Sequence, residues 1–90
     1  MINRLEDKLL KLKFDIQDGY DIGVIESIKF CLRKHREGWT IQMFNKELES
    51  ALKLNLRDEY IQGIVAGMRY NIKVMEETNE RKWKINAYTD

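Results

Sequence analysis

Cys31 and His35 stand four residues apart, a spacing that brings two side chains to one face of a helix, and the chain holds no other cysteine or histidine. Such a pair can give a zinc ion two ligands, but a tetrahedral site needs four, and no second pair exists to supply the rest. A Cys–His nucleophile also needs an orienting third group and an oxyanion site, neither of which this spacing provides. GIVAGM, residues 63–68, has the glycines of a phosphate loop without its Lys-Ser/Thr ending or a preceding strand, and the carboxylates form no recognisable pair. The chain is therefore read as non-enzymatic, with no catalytic residue, cofactor or metal. A buried thiol and a partly exposed imidazole are expected at Cys31 and His35.

Two stretches could touch nucleic acid. The turn HREGW joins a basic helix end, LRKHR, to a second helix on which Thr40, Gln42, Asn45 and Lys46 would face bases in a helix-turn-helix. Arg33, Lys34, Glu37 and Glu47, however, stand where that motif needs small or apolar packing residues. In the tail, Arg81, Lys82 and Lys84 surround Trp83, an arrangement that can stack on bases, but Glu80 lies beside them and three cations give little electrostatic affinity. A small DNA- or RNA-binding regulator is thus the alternative reading.

Composition narrows the classes further. Ninety residues make one domain with a thin core, leaving little stability to spare for an elaborate site. Hydrophobic residues at 43% and charged residues at 34% are those of a globular chain, and a formal charge of +1 with interspersed signs gives no general attraction to nucleic acid or anionic membrane. No stretch approaches the length of a membrane span, no apolar leader follows Met1, and a single cysteine suits a reducing compartment, so a soluble, cytoplasmic protein is expected.

Residues 12–33, LKFDIQDGYDIGVIESIKFCLR, align with residues 52–73, LKLNLRDEYIQGIVAGMRYNIK, at a shift of 40. Leu12, Lys13, Asp18, Tyr20 and Gly23 recur as Leu52, Lys53, Asp58, Tyr60 and Gly63. A period of this size suits a helical hairpin used twice, with pseudo-repeats over about 1–39 and 40–80. Four helices are expected. The first covers about 4–16 behind Asn3 as N-cap, with Glu6 completing a capping box and Leu5, Leu9, Leu12 and Ile16 on its inner stripe; Gly19 suits its end. The second covers about 19–36 behind Asp18. Gly38 breaks the chain, Thr40 caps a third over about 41–55, and Trp39 with Phe44 forms a hydrophobic staple. The fourth covers about 59–79 behind Asp58, followed by a tail over 81–90. Residues 10–16 and 52–56 alternate with period two and could instead be short strands.

Each glycine inside a helix costs about 1 kcal/mol relative to alanine, so Gly63 and Gly67 in one helix need a reason. Tyr60, Gly63, Gly67, Tyr70 and Val74 share a narrow stripe, and Tyr20, Gly23, Ser27 and Phe30 repeat it on the second helix. Small residues four apart let helix backbones approach closely, so the two helices are expected to cross at Gly23, Ser27, Gly63 and Gly67. The competing reading leaves this notch on the surface as an interface.

The helix carrying Tyr60, Gly63, Gly67 and Met68 resembles one that recurs in small helical accessory proteins of phages and prophages. The resemblance covers one or two helices and implies a non-enzymatic protein that binds and blocks a host or defence protein. The fold expected is all-α, a four-helix bundle from a duplicated hairpin, acting by protein contact on such a target or on a second copy as a homodimer. Aromatic and arginine residues anchor interfaces disproportionately, which selects Trp39, Trp83, Tyr88, Arg33, Lys34 and Arg36 as contact residues.

Overall fold

The computed structural model describes residues 2–14, 16 and 18–89, with side chains described through residue 78. It is an all-α bundle of four helices: α1 (Ile2–Lys13), α2 (Gly19–Arg36), α3 (Ile41–Leu52) and α4 (Glu59–Thr89). No strand occurs among the described residues, so the described residues of the alternating segments 10–16 and 52–56 are helix ends and turns.

Local chemistry sets most boundaries. The Asp18 carboxylate accepts from the Asp21 amide at 3.0 Å and opens α2, and the Thr40 hydroxyl accepts from the Met43 amide at 3.4 Å and opens α3. Asp58 accepts from the Tyr60 amide at 2.8 Å as α4 begins. Gly38, at φ 86°, occupies the left-handed region that a side chain would disfavour, and it turns the chain from α2 into α3. The Trp39 and Phe44 rings meet across that turn with centroids 5.3 Å apart.

Four helix boundaries and the role of Gly19 differ from expectation. Helix α1 begins at Ile2, which packs on the core, so Asn3 lies inside the first turn instead of capping it. It ends at Lys13, releasing Phe14 and Ile16 to solvent, so Ile16 is not part of the inner stripe. Gly19 does not close α1; it is the first residue of α2 and lies 3.9 Å, from where its Cβ would be, to Glu59 Cβ. Helix α3 stops at Leu52, and α4 continues through Thr89, making the C-terminal tail a helical extension. With no glycine or proline after Gly67, nothing in the sequence interrupts that helix.

Helices α2 and α4 form the centre and run parallel: Gly19 lies beside Glu59, Gly23 beside Gly63, Ser27 beside Gly67, and His35 bonds Asn71. Their contact is close enough to exclude a methyl group. A Cβ on Gly23 would run into the Tyr60 carbonyl oxygen and stand 3.0 Å from Ile64 N, while one on Gly63 would run into the Tyr20 carbonyl oxygen and stand 2.9 Å from Val24 N. A Cβ on Gly67 would run into Ser27 Oγ, whose hydroxyl donates to the Val24 carbonyl at 2.9 Å and so is satisfied within its own helix. Gly23, Ser27, Gly63 and Gly67 are all buried along this seam.

The other two helices cover the seam from its two sides. Leu5 of α1, fully buried, joins Val24, Ile28 and Leu32, with Leu9, Leu12, Ala66 and Tyr70 around them. On the α3 side, Phe44 packs with Cys31 and Ile72, and Ala51 packs with Val65 and Met68. Arg4 donates to Glu77 at 2.7 Å and ties the start of α1 to α4. No helix among the described residues is long and apolar enough to cross a membrane.

Candidate functional site

Because α2 and α4 run parallel, the turns that precede them, residues 14–18 and 53–58, emerge at the same end of the molecule. Both turns carry large apolar side chains into solvent. Phe14 is 84% exposed, Leu54 and Ile16 about half, Leu56 45%, and Tyr20 and Tyr60, the second residues of α2 and α4, 39% each. Tyr20 and Leu56 line one groove together with Leu52 and Val65, so side chains from the two repeats border the same recess. Leu54 and Tyr60 border another groove, of about 320 Å³, whose floor is Phe30, Ala51, Ile64 and Met68. The end thus carries exposed apolar side chains around two shallow recesses, whose linings also include Glu26, Glu47, Gln62 and Arg69. Burial of a single such side chain is worth roughly 1.5–3 kcal/mol, and the fold leaves this gain unused at Phe14.

The opposite end, about 27 Å away along the 18 residues of α2, holds most of the contact residues chosen from sequence. Trp39 is half-buried, edge-on to Phe30 at 5.6 Å and tilted against Phe44, so its ring closes the α2–α3 turn. Lys34 pairs with Glu37 at 2.9 Å, with its ammonium 5.5 Å from the Phe30 ring centre and 5.1 Å from that of Trp39. Arg33 lies exposed over Phe30 at 6.0 Å. Arg36 turns towards α1, 3.7 Å from Glu6. The structure thus gathers Trp39, Arg33 and Lys34 around Phe30 and separates Arg36 from them. The side chains of Trp83 and Tyr88 lie outside the described ones.

Cys31 and His35 point to different partners. Burial among Phe44 and Ile72 pushes the Cys31 thiol up to about 12, since nothing there stabilises a thiolate. His35 Nε2 faces the amide oxygen of Asn71 at 2.6 Å, and since that oxygen only accepts, Nε2 carries the proton. The imidazole also lies against Phe44, centroids 4.7 Å apart. Asn71 is fully buried and donates its amide to Met75 Sδ at 3.8 Å. Among the described residues, no three His, Cys, Asp or Glu side chains form a group that could hold a metal ion.

Sequence reasoning missed the apolar end and the Asn71 link. The signal for the first was present: Phe14, Ile16 and Tyr20 recur as Leu54, Leu56 and Tyr60, apolar residues repeated where the chain turns. No family model matches the chain, and no curated protein or solved structure shows significant similarity to it.

Proposed function

We propose that this chain is a non-enzymatic protein–protein interaction module, built from a duplicated helical hairpin, that binds its partner through the apolar end formed by residues 14–20 and 54–60. One observation carries the reading: six large apolar side chains stand in solvent on two turns and the helix starts that follow them, which the fold brings to one end. Patches of several hundred Å² on a small protein mark contact surfaces, whereas scattered exposed leucines do not. The duplicated origin is supported by reciprocity at the seam. Gly23 abuts Tyr60 and Ile64 while Gly63 abuts Tyr20 and Val24, an exchange of residues forty positions apart. Burial follows the same shift, with Ser27, Ile28, Cys31 and Leu32 matched by Gly67, Met68, Asn71 and Ile72.

The resemblance to phage accessory proteins supplies a finer reading, in which the module works in the cytoplasm by occupying a host or defence protein. Nucleic-acid binding through the α2–α3 turn is less well supported, because Lys34 is engaged by Glu37 and two rings while the Thr40 hydroxyl caps α3. Capture from lysate of the source cell tests the proposal. Tagged wild-type protein is expected to retain a protein partner with nuclease present, and Phe14→Ser to lose it. Retention only of nucleic-acid proteins, abolished by nuclease or by raised salt, would contradict it.

A further inference from the structure

The interaction reading leaves the partner chain open; the composition of the apolar end names one. We infer that this surface is occupied by a second copy of the chain, giving a two-fold dimer joined end to end. The inference rests on the interaction reading and on three features of the surface.

Size is the first. At about 200 Å² for a fully exposed large side chain, the six residues leave roughly 600 Å² in water. A standard stable interface takes about 800 Å² from each partner. Leu10, 57% exposed one turn back on α1, and the polar rim supply the remainder.

Symmetry is the second. A two-fold contact must be self-complementary, with each patch meeting its own likeness. Here the patch consists of two chemically similar halves, Phe14, Ile16 and Tyr20 beside Leu54, Leu56 and Tyr60, arranged about the reciprocal Gly23–Gly63 crossing. A contact that would occur twice in an ordinary two-fold dimer occurs in four similar settings when each patch has matched halves.

Charge is the third. Among the described residues, exposed charges of both signs flank each half, Lys13 and Asp18 on one and Lys53, Arg57, Asp58 and Glu59 on the other. A copy approaching head-on in the opposite sense can set lysine against aspartate at both edges, which fixes register around an apolar centre.

Sedimentation analysis of the purified full chain, from dilute solution to about 1 mM, tests the inference. The wild type should pass from one to two copies of 10.8 kDa as concentration rises. Phe14→Ser and Leu54→Ser should each weaken dimerisation about tenfold or more while helical content is retained. Lys13→Asp should also weaken it. A wild type that stays monomeric throughout, or a dimer indifferent to Phe14→Ser with Leu54→Ser, would overturn the inference. If that monomer still captured another protein through Phe14, self-association alone would fail and the interaction reading would stand.

Discussion

Asn71, fully buried, takes its partner from the half-buried His35 across the α2–α4 seam at 2.6 Å. An unpaired buried amide costs about 1–3 kcal/mol, so the pair penalises any sliding of α2 along α4 that would part the two side chains. Its effect is on register more than on net stability. Cys31, on the same side, yields a pH prediction. Its folded thiol titrates at about 12 against an ordinary value of 9.0, so the unfolded chain releases its proton first. The native state then binds more protons than the unfolded state between these values, and stability contributed by the neutral thiol is complete below pH 9 and lost as pH rises towards 12. Unfolding free energy should fall by up to about 1.4 kcal/mol per pH unit in that window, and Cys31→Ala should remove this part of the slope in denaturant titrations. An identical slope in the variant would show that the thiol is not held neutral by burial. The identity of both residues is plain in the sequence, but the partner of His35 lies 36 residues away and only the tertiary arrangement reveals it.

At the scale of the helices, the glycine seam decides the architecture. Gly63→Ala adds one methyl group and improves helix propensity by about 1 kcal/mol, yet it drives that methyl into the Tyr20 carbonyl. Backbone cannot give way as a flexible side chain can, so a net loss of about 2–3 kcal/mol is expected in thermal or denaturant unfolding. A neutral or stabilised Gly63→Ala would show that the helices do not meet at this point. The glycines were legible because their cost demands compensation and their spacing selects one face. The N-caps and Gly38 were legible because each satisfies or releases specific backbone groups. The end of α1 was not. A helical period places Ile16 on the same stripe as Leu5, Leu9 and Leu12, and periodicity does not register that the chain has left the helix after Lys13. The two hairpins also differ by one residue in their turns: α1 and α3 begin 39 residues apart, whereas α2 and α4 begin 40 apart. The sequence alignment therefore pairs Leu12 with Leu52, while helix register sets Leu12 against Ala51. That smaller side chain lines the 320 Å³ groove beside Leu54.

For the whole molecule, the parallel arrangement of α2 and α4 is what turns two unremarkable loops into one surface. Neither Phe14 nor Leu54 suggests a site when read alone, since isolated apolar residues are common on protein surfaces. Brought to one end, they form a surface that the fold does not need for its own stability. Thermal unfolding of Phe14→Ser with Leu54→Ser, in dilute solution where the chain is a monomer, tests this. The free energy of unfolding should stay within about 0.5 kcal/mol of wild type, as for surface positions free of structural partners. A loss of about 2 kcal/mol or more would instead place these side chains in the core.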